Sequence, residues 1–150
     1  MKKTIGIGAD PNATALKLVV MQHLADLGYE CEDYGSEDPI YANVSEAVAL
    51  AVASGKHDRG ILLCGTGLGV CMAANKVPGA YAFTATDPYS VDRSIKSNNA
   101  NIFALGAQVV GPETAKMLLT IWMNAEYEPG GRSEKKVQRI REIESKHFSK

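Results

Sequence analysis

The sequence predicts an α/β fold of three layers, in which a five-stranded parallel sheet lies between helices. Five short apolar runs alternate with segments whose apolar residues recur at helical spacing. Most of these runs are apolar throughout, which is typical of strands that helices cover on both faces. A chain of 150 residues is expected to form one domain, here 1–150.

The first half of the chain alternates strand and helix twice. Thr4–Ala9 is a compact apolar run and is predicted to be a buried strand. Ala15–Leu27 has apolar residues at helical spacing and stops at a glycine, as helices often do. Tyr29–Tyr34 alternates in polarity and is predicted to be the second strand. Val44–Ala53, rich in alanine and valine, is predicted to be the second helix.

The second half continues the same alternation. Prolines fall at the first turn of two helices, where their missing N–H group costs nothing, and a Pro-Gly turn precedes the fourth strand. The predicted elements are, in order, strand Gly60–Cys64, helix Gly67–Asn75, strand Ala80–Thr86, helix Pro88–Lys96, strand Ile102–Val110, helix Pro112–Ala125 and helix Glu134–Lys146.

The final helix is the least self-sufficient element. It follows a glycine-rich joint at 128–131 and has a narrow apolar stripe, Val137, Ile140 and Ile143, on a strongly charged body. We therefore predict that 128–150 is a dimerisation tail that packs on a partner subunit, with a homodimer as the simplest assembly. Packing of this helix on its own domain is the alternative.

Composition excludes several classes of function. A net charge of −1 gives no basic field for nucleic acid or an anionic membrane surface. No apolar run is long enough to span a bilayer, and the short N-terminal run reads as a strand, not a signal peptide. The three cysteines lack metal-type spacing, so we expect reduced thiols in a cytoplasmic protein. No histidine follows a predicted strand, which argues against a histidine triad or metal site.

The main candidate for chemistry is Cys64, which ends the third predicted strand. Ligands of parallel sheets bind beyond such strand ends. The residues that follow Cys64 are Gly65, Thr66, Gly67, Leu68 and Gly69. The Thr66 hydroxyl and the N–H groups of Gly67 to Gly69 could stabilise an oxyanion, although a tight turn would also need these glycines. Cys64 itself is either a reactive thiol or a small core residue. The loop matches neither a P-loop nor a dinucleotide fingerprint.

Three further polar features are candidates for binding. Asp10 follows the first strand and could hydrogen-bond a sugar hydroxyl or cap a turn. Asn98 lies in an asparagine cluster for which a polar loop is the simpler interpretation and ligand binding the alternative. Arg132 and Lys136 are four residues apart, so they share a helix face that could bind a phosphate or simply face solvent.

A set of short motifs identifies a family. These are Gly8-Ala9-Asp10, Ala15-Leu16-Lys17, Gly60 to Gly69, Ala73 to Gly79, Asn98 to Asn101, Gly106 with Val109-Val110-Gly111, and Gly130-Gly131-Arg132. With them the chain resembles the ribose-5-phosphate isomerase B and galactose-6-phosphate isomerase family over nearly its whole length. The resemblance implies a Rossmann-like fold and an aldose–ketose isomerase of sugar phosphates that works through a cis-enediolate, without metal or cofactor. It also implies homodimers or tetramers whose active sites use residues of two subunits.

The resemblance also implies a role for individual residues. Cys64 would be the base that moves a proton between C2 and C1, and Thr66 with the loop amides would hold the enediolate oxygens. The remaining substrate contacts would be Asp10 and Asn98 to sugar hydroxyls, Tyr41, Gly65 and Ser97 along the pocket, and Arg132 with Lys136 at the phosphate, Arg132 from the partner subunit.

The chain departs from the family pattern at four positions. Pro11 and Ser97 stand where histidines are common, the second of which assists ring opening, and Gln108 and Lys136 stand where arginines are common. The resemblance implies an isomerase of the ribose 5-phosphate type, which would belong to the pentose phosphate pathway. Because of the four departures, an isomerase for another sugar is the alternative. A linear four-carbon sugar phosphate, a six-carbon sugar phosphate and a non-phosphorylated sugar are the alternatives. A sugar-phosphate-binding subunit that needs a paralogue is the alternative of another class.

Overall fold

In the computed structural model, which describes residues 3–148, a five-stranded sheet lies between two layers of helices. The strands are β1 (Thr4–Ala9), β2 (Glu30–Asp33), β3 (Arg59–Cys64), β4 (Ala82–Thr84) and β5 (Ile102–Gly106). The helices are α1 (Thr14–Asp26), α2 (Tyr41–Ala53), α3 (Leu68–Ala74), α4 (Pro88–Lys96), α5 (Pro112–Asn124) and α6 (Glu134–Phe148), and a 3-10 turn over Pro11–Ala13 precedes α1.

All strand pairs are parallel and follow the order β2-β1-β3-β5-β4. The chain builds the sheet outward from β1 on one side and from β3 on the other. The carboxyl ends of β1 and β3 therefore flank the point where the strand order changes direction, which is where parallel sheets bind ligands. The predicted three-layer α/β fold with a five-stranded parallel sheet is confirmed.

Alternate side chains of the strands fill two separate cores. On one face α1, α4 and α5 pack around Phe103 and Trp122, whose ring centroids lie 5.5 Å apart. On the other face α2 and α3 pack against Leu62, Ile102 and Cys64. Successive residues of a strand point to opposite faces, so Cys64 belongs to the face that α2 and α3 cover.

Several elements differ from the predicted ones at their ends. β2 is mostly exposed along Glu30–Asp33, because it forms one edge of the sheet and only β1 pairs with it. β5 ends at Gly106 rather than Val110, since the N–H groups of Val109 and Val110 both donate to the Gly106 carbonyl and turn the chain. α2 begins at Tyr41, three residues earlier than the apolar pattern indicates.

A buried arginine begins β3. Arg59 is 6% exposed, stacks 5.1 Å from the Trp122 ring, and donates from Nη2 to the Ala125 carbonyl at 2.7 Å and from Nη1 to the Trp122 carbonyl. These carbonyls end α5, so the guanidinium satisfies the acceptors that a helix C-terminus leaves open. Burial lowers the pKa of Arg59. The contact ties the start of β3 to the segment that leads into α6.

The last helix, α6, contacts its own chain. Glu144 accepts hydrogen bonds from the Gly79 N–H at 3.0 Å and from the Tyr81 hydroxyl at 2.7 Å. Ile140 and Ile143 remain 48% and 45% exposed. The alternative of packing within the domain is thus partly realised, while packing of the 128–150 tail on a partner stays a prediction. Residues 1, 2, 149 and 150, which complete the predicted 1–150 domain and its tail, lie outside the described residues.

Candidate active site

A cleft of about 370 Å³ opens where the carboxyl ends of β1 and β3 lie side by side. It is lined by Asp10, Asn12, Pro39, Tyr41, Cys64, Gly65, Thr66 and Gly69. Six of the residues that the sequence analysis placed at a site therefore come together here. They arrive from the ends of two strands and the start of α2.

Cys64 lies at the bottom of this cleft. Its side chain is 7% exposed, and the Gly67 N–H donates to its Sγ at 3.1 Å. The sulfur thus faces a backbone N–H beside the cleft, and the residue also packs in the core between β3 and α3.

Glycines allow the loop after Cys64 to pack closely. Gly67 has a φ of +82°, which side chains rarely adopt, and its backbone begins α3. A Cβ at Gly69 would lie 2.4 Å from the Tyr41 ring, and a Cβ at Gly106 would lie 2.5 Å from the carbonyl carbon of Thr66. These glycines therefore form the tight turn that the sequence analysis considered, and this turn shapes one side of the cleft.

Two of the loop's amide groups bond within the loop. The Gly67 N–H is used by Cys64, and the Leu68 N–H donates to Thr66 Oγ1 at 3.2 Å. Because Thr66 Oγ1 accepts this bond, its hydroxyl hydrogen is directed elsewhere and can serve a ligand oxygen. The Leu68 side chain is 56% exposed.

Asp10 has a local structural role as well as a place in the cleft. Its Oδ2 accepts the Asn12 N–H at 3.1 Å and caps the 3-10 turn, and its own N–H donates to the Leu63 carbonyl at 2.8 Å. The capping alternative considered for Asp10 is therefore present in the fold. The turn holds the carboxylate between β1 and β3.

An ion pair between the buried Lys17 and the partly exposed Asp33 anchors the segment between β2 and α2. Lys17, only 4% exposed, places its Nζ 2.8 Å from Asp33 Oδ2 and 3.0 Å from Ser36 Oγ. Burial alone would raise the pKa of Asp33, but hydrogen bonds from Lys17 and the Gly35 N–H lower it overall. This segment continues to Tyr41, so the ion pair supports one wall of the cleft.

Two side-chain amides lie against Gly65 and were not placed at the site by sequence reasoning. A Cβ at Gly65 would lie 3.2 Å from Gln108 Oε1 and 3.6 Å from Asn12 Nδ2. Asn12 is two residues beyond Asp10, which was the available signal. Gln108 was noted only as a departure, and its position follows from the hydrogen bond of its N–H to the Gly65 carbonyl at 3.0 Å.

Gly67 and Leu68 lie in the loop beside the cleft, and the remaining four predicted residues lie in a separate concavity of about 490 Å³, here called the cationic depression. Its lining consists of Arg93, Ser97, Asn98, Arg132, Ser133 and Lys136. Arg93, one turn before Ser97 in α4, is a residue that the sequence analysis did not name. Its Nε donates to Ser97 Oγ at 2.7 Å.

The cleft lies at the carboxyl ends of the strands, and the cationic depression lies near the amino end of β5. Cys64 ends β3 and pairs with Gly106, the last residue of β5, whereas Asn98 precedes the first residue of β5, Ile102. At about 3.3 Å per residue, the two ends of β5 are roughly 13 Å apart. A single chain therefore does not bring all the predicted site residues together.

Three further observations concern the thiols, the metal-binding side chains and the helices of the described part of the chain. Cys31, Cys64 and Cys71 are free thiols, and burial raises the pKa of Cys31 to about 11. Within residues 3–148, no group of three or more His, Cys, Asp or Glu side chains could hold a metal ion. Across the same residues, every helix is too short or too polar to cross a membrane.

Comparisons with known proteins agree over almost the full length. The family described as Ribose/Galactose Isomerase matches residues 5–140. The chain is 48% identical over 141 residues to D-erythrulose-4-phosphate isomerase of Pectobacterium atrosepticum, covering 91% of this chain and 92% of that protein. It is 43% identical over 147 residues to ribose-5-phosphate isomerase B of Escherichia coli, covering 96% and 98%. The solved structure of Clostridium thermocellum ribose-5-phosphate isomerase B matches with a TM-score of 0.90 and 44% identity, covering 96% of this chain and 99% of that one.

The fold and these relatives define a sugar-phosphate isomerase with an α/β three-layer architecture. The chain belongs to the ribose/galactose isomerase family. It is accordingly an enzyme of the aldose–ketose isomerase class, as the sequence resemblance predicted.

Proposed function

We propose that Cys64 is the base that interconverts an open-chain aldose phosphate and its ketose through a cis-enediolate. The thiolate takes the proton from C2 of the aldose and returns it to C1, while a proton moves from O2 to O1. The observation that carries this proposal is the Gly67 N–H directed at Cys64 Sγ, 3.1 Å away, at the bottom of the cleft. In this mechanism the Thr66 hydroxyl, whose oxygen accepts the Leu68 N–H, donates to the developing enediolate oxygen.

The catalytic unit is a pair of chains. The isomerisation of a sugar phosphate needs a base at the carbonyl end of the sugar and cations at its phosphate. One chain holds these groups toward opposite ends of its strands. A second copy that places its cationic depression over the cleft would supply the missing half. Such a shared site requires self-complementary surfaces, as two-fold symmetric dimers provide.

The substrate best supported is a four-carbon sugar phosphate. A tetrose esterified on its last carbon has no hydroxyl left to close a five- or six-membered ring, so its isomerase needs no ring-opening acid. Ser97 has no titratable imidazole, and its hydroxyl accepts a bond from Arg93. The relative from Pectobacterium atrosepticum carries the name of a four-carbon substrate. Ribose 5-phosphate is the second candidate, supported by the relative from Escherichia coli, which matches 96% of the chain.

A substrate panel tests both the chemistry and the sugar. Purified wild type should turn over erythrulose 4-phosphate with a higher kcat/KM than ribose 5-phosphate, a six-carbon sugar phosphate or free sugars. Cys64→Ala should lower kcat by about 10²–10⁴-fold, the range expected for loss of a general base. Cys31→Ser is the matched control and should leave kcat unchanged, because Cys31 lies in the edge strand β2. Faster turnover of ribose 5-phosphate would contradict the four-carbon assignment, and no turnover of any sugar would favour a binding subunit that needs a paralogue.

Mixing two inactive variants tests the shared site. Cys64→Ala damages only the cleft and Arg132→Gln damages only the cationic depression. In a mixed dimer one of the two sites has both halves intact, so equal mixing should restore about a quarter of wild-type activity. A mixture that forms mixed dimers by native mass spectrometry but stays inactive would contradict a site built from two copies.

A further inference from the structure

Arg93 is a cation that the family resemblance does not assign to the substrate. It projects from α4 into the cationic depression, half-buried, next to Arg132 and Lys136. Of these three cations it is the only one within α4, the helix of the folded core that also carries the buried Val91 and Ile95.

The lining of the cationic depression favours an anion. Arg93, Arg132 and Lys136 supply positive charge, and the remaining side chains, Ser97, Asn98 and Ser133, are neutral hydrogen-bonding groups. A neighbouring concavity of about 280 Å³ shares Arg93 and Arg132 and is also lined by Lys96 and by the carboxylates of Glu126 and Glu128. No carboxylate lines the first concavity, which is therefore the more favourable of the two for an anion.

Ser97 fixes the direction of the Arg93 guanidinium. The hydrogen bond from Nε to Ser97 Oγ, 2.7 Å long, uses one edge of the fork. In the part of the chain that the structure describes, the two Nη atoms make no hydrogen bond and no ion pair. The two Nη atoms are thus left for a ligand of the depression, and arginine can bind a phosphate through two parallel bonds.

We propose that Arg93, oriented by Ser97, is a phosphate ligand of the substrate alongside Arg132 and Lys136. This inference rests on the proposed function, because it assigns a contact within the same composite site. Lys136 binds an anion as a point charge, whereas Arg93 can bind it through two parallel bonds. Ser97 is the positioning residue of Arg93.

Binding of inorganic phosphate tests the assignment without turnover. Isothermal titration calorimetry on the Cys64→Ala protein, with and without a second change, gives the phosphate Kd directly. Arg93→Gln should weaken binding about tenfold, as expected for loss of a charge-assisted bidentate contact. Lys96→Gln is the matched control and should change Kd by less than twofold: it removes one charge from the same helix, but Lys96 pairs with Asp92 and lies outside the cationic depression.

The conservative variant separates the fork from the charge. Arg93→Lys keeps the positive charge but loses the bidentate geometry, so it should weaken phosphate binding several-fold. If Arg93→Gln proves unfolded, this variant, checked by its Tm, carries the test. The proposal would be overturned if Arg93→Gln weakened phosphate binding no more than Lys96→Gln does. An unchanged Kd for Arg93→Lys would also overturn it.

The two proposals fail separately. Turnover of a sugar phosphate by wild type with phosphate binding indifferent to Arg93 would remove only the role of Arg93. Absence of turnover together with phosphate binding that depends on Arg93 would remove the proposed reaction and leave an anion site at the cationic depression.

Discussion

The cleft around Cys64 and the cationic depression around Arg132 are built in different ways. The cleft is formed by backbone at the ends of strands, with Gly67, Gly69 and Gly106 in contacts that leave no room for a side chain. The cationic depression is formed by long side chains, and Arg132 and Lys136 are exposed. A wall of backbone cannot change without moving the strands, whereas a wall of side chains can be altered one residue at a time. The geometry of the cleft is thus fixed by packing, while the surface that we propose binds the substrate's phosphate can change one side chain at a time.

The largest expected effect comes from adding one methyl group beside the cleft. Gly106→Ala would place Cβ 2.5 Å from the Thr66 carbonyl carbon, so the loop must move. A displacement of about 1 Å at a reacting group can cost about 10²-fold in rate, and we expect kcat to fall by at least that amount. Gly111→Ala is the matched control, since a Cβ there meets nothing within 4 Å and its φ is −77°. Equal kcat for the two variants would show that the cleft tolerates change as the depression does.

A smaller effect is expected at the ion pair that supports the cleft wall. Asp33→Asn leaves the buried Lys17 ammonium without its counter-charge, and we expect a loss of about 1–2 kcal/mol in the free energy of unfolding at pH 7, since Asp33 is partly exposed. Because the folded-state pKa of Asp33 is lowered, this contribution is present above the unfolded pKa of about 3.9 and disappears as pH falls through the folded value.

The difference in Tm between wild type and Asp33→Asn should therefore shrink as pH is lowered from 7 towards 3. Glu37→Gln removes the charge of an exposed carboxylate that lines the same concavity as Lys17 and Asp33, and it should match wild type across this range. A Tm difference that persists unchanged in acid would contradict a charge-based role for Asp33.

The smallest expected effect is on salt dependence. Exposed cations are screened by salt, so raising ionic strength from about 0.05 M to about 0.2 M should increase KM for a sugar phosphate a few-fold. In the proposed mechanism proton transfer occurs in the buried cleft, so kcat should change little. Steady-state kinetics at fixed pH separates the two parameters. A fall in kcat as large as the rise in KM would erase the proposed division between the two regions.

The sequence predicted the fold and the two clusters of site residues better than their arrangement. Apolar runs and helical spacing located all the strands and helices, because both patterns reflect local burial. The edge strand β2 was predicted over Tyr29–Tyr34 from its alternating polarity and forms over Glu30–Asp33. Its exposure follows from its pairing with β1 alone, which no local pattern states. The early start of α2 likewise brings Tyr41 against Gly69 through a contact distant in sequence.

Within the site, single residues were found and their partners were missed. Cys64 and Asp10 were located because strand ends are visible in the sequence. The neighbours Asn12 and Gln108 depend on how a turn and a strand end meet in space. The bond from Arg93 to Ser97 links residues four apart in α4, a spacing that could have been read, yet nothing in the sequence shows that this face of α4 adjoins Arg132.

The length of β3 has a consequence for how this chain can evolve. Its first residue, Arg59, holds the end of α5 from which the chain runs on to Arg132, and its last residue is Cys64. The six-residue strand β3 therefore sets the distance between the two regions. An inserted or deleted residue would change that distance by about 3.3 Å and turn the thiol toward the opposite layer of helices. Insertions that arise during divergence should accumulate in loops, and the number of residues in this strand should stay fixed while the side chains of the cationic depression change.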